Sequence, residues 1–220
     1  MQTELIAQLL SDPTLPCAVH ELAWVSPRII PFSEGVRGMC AANRCGMYGK
    51  SWACPPGVGD WQDLRDECYA HAHALIFTTK HVLEDDFDIE GMQKAAEDHK
   101  TFNRTLCDLL EAHGISCLLY GAGGCTLCKT CTYPNAPCRF PTRAHRSMEA
   151  CGIDVGALVR LCGIKYNNGP LTVTYFSMLV FSEETGGSLP PVLLINTTFL
   201  ACQPILQDNP TTRYNTLPAF

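Results

Sequence analysis

Three cysteines fall within one short run, Cys125-Thr-Leu-Cys128-Lys-Thr-Cys131, and a fourth, Cys138, follows after six intervening residues. Two-residue gaps let a curling loop aim three thiolates at one centre. A C-x2-C-x2-C run with a fourth cysteine close behind is how bacterial ferredoxins hold cubane clusters. The interval to Cys138 is longer than the usual three, so the match to the ferredoxin pattern is partial. Tyr133, Pro134 and Pro137 stiffen that longer loop. A structural zinc ion bound by four cysteines is the alternative for the same donors.

A second set reads Cys40-Ala-Ala-Asn-Arg-Cys45, then eight residues to Cys54-Pro-Pro. Its spacing is looser, and buried or incidental thiols are the alternative. Gly46, Gly49, Gly57 and Gly59 surround it, and glycines let backbone N–H groups approach metal-bound sulfur. No fourth ligand is adjacent. Either a distant residue closes the site, with Cys17 and Cys151 as candidates, or one metal position stays open. Ferredoxins also exchange a proline-linked cysteine between clusters, so Cys54 and Cys138 can each serve the opposite group.

The other chemistry in the sequence is sparser. Cys68, Cys107 and Cys162 fall in helical segments and Cys117 in a strand, where a free cysteine packs as a small apolar side chain. His71, His73, His81, His99 and His113 form no HxxxH or HExxH pattern, which argues against a histidine-based catalytic zinc site. Gly121-Ala-Gly-Gly124 follows a strand but enters a cysteine loop instead of a helix, and Gly46 to Ser51 lacks the four-residue interval of a P-loop. Neither supports ATP or NAD binding.

Composition narrows the classes further. The chain has 220 residues, 46% hydrophobic and 17% charged, with 14 cysteines and a net charge of −6. That is a globular composition, and the acidic balance argues against nucleic acid as a partner. No run approaches the ~18 continuous apolar residues of a membrane helix, and Met1–Asp12 reads as a short amphipathic helix, not a signal peptide. The expectation is a cytoplasmic chain, whose cysteines stay reduced and free for metal. Basic residues gather beside the cysteines: Arg37, Arg44, Lys50, Lys129, Arg139, Arg143 and Arg146. They can offset the charge of thiolate-bound metal or attract an anion.

The elements that position these cysteines follow from periodicity. An apolar stretch from Val25 to Phe32 is expected to be a strand, and Gly35–Gly59 a loop. A helix capped by Asp60 carries Trp61, Leu64 and Cys68 on one face. Ala72–Val82 reads as a buried strand. A long helix over 89–113 has the stripe Met92, Ala95, His99, Phe102, Leu106 and Leu109, with Gly114 as its stop. The strand 115–120 follows. Strand, helix and strand make a βαβ unit with parallel strands, and its carboxyl end, where α/β proteins place ligands, leads into Cys125. Two short helices are expected over Thr142–Cys151 and Asp154–Cys162. Leu171–Phe181 is a strand, with Val192–Phe199 pairing against it. The fold expected is α/β, with α+β as the alternative: one domain over 1–220, metal loops at about 35–59 and 121–141, and an extended arm at about 200–220.

The strings Cys45-Gly-Met-Tyr-Gly-Lys-Ser-Trp-Ala-Cys-Pro-Pro56, Gly123-Gly-Cys-Thr-Leu-Cys-Lys-Thr-Cys131 and Ser147-Met-Glu-Ala-Cys-Gly-Ile-Asp-Val155 resemble one family. It is domain of unknown function 2284, cysteine-rich predicted metal-binding proteins, and the resemblance covers roughly residues 20 to 182. It implies metal binding by the two cysteine groups in proteins of anaerobic bacteria and archaea, and it implies no reaction. The expectation is therefore an iron–sulfur protein with two cubane (4Fe–4S) sites, at Cys125, Cys128, Cys131 and Cys138 and at Cys40, Cys45 and Cys54. It would carry electrons to a redox partner protein and form a homodimer through the C-terminal arm. The alternatives are a structural zinc module and an enzyme that binds an anionic substrate at an open iron beside Lys50, Arg143, His145 and Arg146.

Overall fold

The computed structural model describes residues 2–182 and the two-residue strand 192–193. Among these residues the strands form one mixed sheet. Its centre is a ten-residue antiparallel pair, β2 (His73–Val82) and β5 (Thr172–Phe181), in continuous register from His73 opposite Phe181 to Val82 opposite Thr172. β1 (Val19–Val25) lies antiparallel on the other side of β2, with a bulge between Val19 and Leu22. β3 (Cys117–Gly121) lies antiparallel on the other side of β5. The two-residue strands β4 (Arg146–Ser147) and β6 (Val192–Leu193) form the edges, beside β3 and β1.

β2 reads His-Ala-Leu-Ile-Phe-Thr-Thr, a nearly unbroken apolar run, because both of its faces are covered. Alternation sorts its side chains between two cores. Ala74 and Ile76 join Met178, Val180 and Tyr120 under α3 (Trp61–Tyr69) and α5 (Val155–Leu161). Leu75 and Phe77 join Leu179 and Phe181 under α1 (Gln2–Leu9) and α4 (Ile89–Ala112). Asp60 and Asp154 cap α3 and α5 by accepting bonds from the N–H of Gln62 and Ala157. On α4 the buried stripe is Ala95, His99, Phe102, Asn103, Leu106 and Leu110, with Gly114 in the left-handed conformation at its end.

The βαβ expectation holds in part. β2 and β3 are both antiparallel to β5, so they are parallel to each other, but β5 stands between them. Because β5 uses both its edges in this way, 192–193 pairs with β1 and not with β5 as expected. The rest of the expected strand to Phe199, and the arm at about 200–220, lie outside the described residues. The first strand also lies earlier than the apolar stretch 25–32. Ser26 accepts a bond from the Arg28 N–H, and Pro27 opens a turn of 3-10 helix over Pro27–Ile29, which ends the strand at Val25. Thr142–Cys151 is not a helix. It is turns, β4 and a second 3-10 turn, Glu149–Cys151.

Between α4 and the sheet runs a buried chain of polar groups. His81 Nε2 lies 3.0 Å from Thr79 Oγ1, Thr79 Oγ1 2.8 Å from His99 Nδ1, His99 Nε2 2.8 Å from Ser177 Oγ, and Asn103 Nδ2 donates to Ser177 Oγ at 2.9 Å. Burial, first of all, drives the His99 pKa down to about 4. The folded state therefore prefers neutral His99, and the unfolded chain takes up the proton first as pH falls below the ordinary histidine value. Stability should drop between pH 7 and pH 5 by about 2 kcal/mol on account of this one group. Denaturant titrations of wild type and His99→Gln at both pH values check it. The variant's loss on acidification should be smaller by about that amount, and equal losses would contradict the assignment.

Candidate metal centre

The first cysteine group begins on a helix, not in a loop. Ser33 accepts a bond from the Gly35 N–H and caps α2 (Glu34–Ala41), and Cys40 sits in its last turn. Two glycines made this segment read as irregular. Tertiary contacts override that: Val36 is buried, and Arg37 donates to the carbonyls of Ala150 and Gly59, the latter at 2.8 Å. Beyond α2 the chain turns at Asn43, whose side chain accepts from the Tyr48 N–H, and at Gly46 and Gly49, all three with positive φ. Cys45 is exposed on this turn, and Cys54 is buried after Ser51.

The second group leaves the sheet at Gly121, the end of β3, as expected for a site at the carboxyl end of a strand. Its loop has hardly any apolar interior, and no residue from 122 to 141 is buried. Its own side chains brace it instead. Arg139 donates to the Thr130 carbonyl at 2.9 Å, and the Thr132 hydroxyl to the Pro137 carbonyl at 2.8 Å.

The two loops interlock. Trp52 of the first loop donates its indole N–H to the Ala136 carbonyl of the second at 3.0 Å, and its ring meets Tyr133 edge-on at 4.9 Å. Gly57 lies so close to Tyr133 that an added Cβ would stand 2.7 Å from the ring and 2.7 Å from the Ser51 carbonyl. Met47 packs over Gly124, where a Cβ would lie 3.1 Å from its methyl group. Of these contacts the sequence pointed only to Tyr133. The signal for the others was a tryptophan in a loop with little core to enter.

Cys125, Cys128, Cys131 and Cys138 line one small cavity of about 20 Å³, together with Trp52 and Phe140. Burial pushes the Cys125 thiol up, against a hydrogen bond from the Leu127 N–H, with the nearby thiols of Cys138, Cys128 and Cys131 adding to the rise. At Cys131 burial also acts upward, but backbone N–H groups of Tyr133, Trp52 and Thr132 and the Arg139 guanidinium outweigh it, so this thiol falls below its ordinary value. The Phe140 N–H points at Cys138 Sγ from 3.4 Å. N–H groups aimed at sulfur are what metal-bound thiolates use.

The first group stands next to the second. Burial pushes the Cys54 thiol up, with Cys45, Cys40 and Cys125 adding to the effect. Cys40 is pushed up by burial, against the Arg37 charge, with Cys45 and Glu149 adding. Cys54 thus has neighbours in both groups. Of the two residues expected to close the site, Cys17 bonds to Thr79 near Asp98 and Lys94, while Cys151 is fully buried beside Arg37, the guanidinium that also lies near Cys40, with Arg146, Glu67 and Cys68 around it. Among the described residues, no three or more His, Cys, Asp or Glu side chains are gathered into a group that could hold a metal ion. What fits a metal is the donor set: soft thiols, four around one cavity and three beside it.

The basic residues divide. Arg37 and Arg139 serve backbone carbonyls. Arg143 pairs with Asp108 at 2.9 Å and Arg146 with Glu67 at 2.5 Å. Arg44, Lys50 and Lys129 are exposed. Burial depresses the His145 pKa to about 4, with the Arg104 and Arg143 charges acting the same way, so it is neutral at pH 7.

A mixed α/β sheet that carries six cysteines on two interlocked loops and a seventh, Cys40, on the helix before them belongs to the class of cysteine-rich α/β proteins. The family described as predicted metal-binding protein, DUF2284, matches residues 23–181, and the chain belongs to it. No curated protein and no solved structure matches the chain.

The interlock makes a specific demand on Gly57. Gly57→Ala should cost about 1–3 kcal/mol, the usual range for overpacking, and should lower the metal bound per chain. Gly38→Ala, on a helix face with nothing within 4 Å, should gain about 0.5–1 kcal/mol at unchanged metal content. Denaturant titration with metal analysis reads both. A silent Gly57→Ala would mean that the loops do not need each other.

Proposed function

We propose that this chain is an iron–sulfur protein of anaerobic metabolism, cytoplasmic, that passes electrons to a redox partner protein. Cys125, Cys128, Cys131 and Cys138 hold one cubane cluster, and Cys40, Cys45 and Cys54 supply thiolates to a second. The observation that carries this reading is that four cysteines in C-x2-C-x2-C-x6-C spacing line a single cavity. Such clusters exchange single electrons, at potentials set by hydrogen bonds to sulfur and by exposure to water.

The chain's own groups fit that task. N–H groups favour the thiolate at Cys131, and the Phe140 N–H points at Cys138 Sγ. Trp52 and Phe140 limit water at the second group, while exposed Cys45 leaves the first group open to solvent. The exposed cations Arg44, Lys50 and Lys129 suit docking to an acidic partner surface. A structural zinc module is the competing reading for the same thiols.

A second reading of the first group rests on a specific observation. Its segment supplies three thiols and no fourth, and Cys17, one of the two candidates to close the site, is bonded to Thr79 instead. An iron there with a free position would bind an anion, held by Arg44 and Lys50, and the protein would be an enzyme.

Iron and sulfide analysis of anaerobically prepared protein tests the main reading. About eight iron and eight sulfide per chain are expected for two cubane clusters. Cys128→Ser should retain about half of each and melt at lower temperature, because metal binding to such loops is coupled to folding. Colourless protein containing zinc would leave the zinc reading in its place.

A further inference from the structure

Two cysteines outside the metal groups face each other. Cys107 on α4 and Cys117, the first residue of β3, are joined by a side-chain hydrogen bond. The turn between their elements is tight. The Ile115 N–H bonds to the Leu110 carbonyl at 2.9 Å, and Gly114 adopts a positive φ. Neither thiol is sealed in the core, and each keeps part of its surface exposed. Both pack against the core under α4, as the sequence predicts, and both also line a groove of about 460 Å³. β4 covers β3 only at Tyr120 and Gly121, so the outer edge of Cys117–Leu119 faces this groove. Leu118, Pro141 and His145 line it as well.

We infer that Cys107 and Cys117 form a redox-active dithiol that exchanges with disulfides entering the groove along the free edge of β3. The substrate class is a disulfide, either a small molecule or one carried on a partner protein. The roles of the two sulfurs differ. The hydrogen that Cys107 donates favours the thiolate at Cys117, which falls below the ordinary thiol value, while that same bond and burial hold Cys107 protonated. Cys117 is the attacking sulfur and Cys107 the resolving one.

The exchange balances without a further reagent. The Cys117 thiolate attacks one sulfur of R–S–S–R, breaking that bond and releasing RS⁻, which takes a proton to become RSH. A mixed disulfide remains on Cys117. Cys107 then loses its proton and attacks the Cys117 sulfur, releasing the second RSH. Two protein thiols are oxidised by two electrons to one disulfide, and the external disulfide is reduced to two thiols. Asp108 and Arg143, the charged groups beside Cys107, form an ion pair with each other.

The test uses the anaerobically prepared, metal-loaded chain. It is treated in one arm with glutathione disulfide and in the other with an oxidised dithiol protein of the thioredoxin type. Free thiols are then alkylated and cysteine linkages mapped by mass spectrometry, with iron and sulfide followed in parallel. A Cys107–Cys117 disulfide, reversible by dithiothreitol and formed at unchanged iron and sulfide, supports the inference. Faster reaction in one arm identifies the source of the disulfide. Cys107→Ser should arrest as a stable mixed disulfide on Cys117, and Cys117→Ser should react at least tenfold more slowly at Cys107. The inference is overturned if neither arm oxidises the wild-type pair while the protein stays folded. It is equally overturned if both cysteines end as separate mixed disulfides, or if the only disulfides join cysteines of the metal groups.

Discussion

Two cysteine-bearing segments packed against each other beside a sheet are the constraint on which this molecule turns. Around Cys125 and Cys54, burial and the neighbouring sulfurs both act against ionisation. Without a metal the thiols there are favoured in protonated form. The segment that carries four of them has no buried residue between 122 and 141. Such a loop gains little from the hydrophobic effect, so its order depends on what its polar groups and sulfurs bind. The Trp52–Tyr133 contact, the Trp52–Ala136 hydrogen bond and the missing side chain at Gly57 bring a second loop against it. Together they turn two weak loops into one lobe.

The sheet supplies the rigid base. β2 and β5 are buried over most of their length on both faces, and β3, held along β5, delivers Gly121 and then Cys125 at its carboxyl end. α2 and the Glu149–Cys151 turn deliver Cys40 to the same end, tied by Arg37 and by a contact from Cys40 Sγ to the Glu149 carbonyl at 3.7 Å. Four of the basic residues near the cysteines turn out to be braces for this geometry. Arg44, Lys50 and Lys129 are exposed and hold charge available to a partner or an anion.

What was legible in the sequence was local. Asp60 and Asp154 announce their helices because a capping carboxylate needs only the next turn, and α4 shows its stripe because its buried face repeats along the chain. The second cysteine group was legible for the same reason, its ligands lying in one short segment. The insertion of β5 between β2 and β3 was not, since strand neighbours are chosen by pairings remote in sequence. Nor was the helix bearing Cys40, where Gly35 and Gly38 weaken the local signal and contacts with Ala150 and Gly59 decide. Cys107 and Cys117 each look like packing residues when read on their own elements. Their meeting depends on how α4 turns back into β3.

The central claim is that the two cysteine groups form one centre, with Cys54 beside Cys125. Electron paramagnetic resonance of the anaerobically reduced protein tests it most directly, because neighbouring reduced clusters broaden and split each other's signals. The account predicts an interaction-broadened spectrum that simplifies to a single isolated signal in Cys128→Ser. Two sharp, independent signals unaffected by that substitution, or no iron–sulfur signal at all, would contradict it.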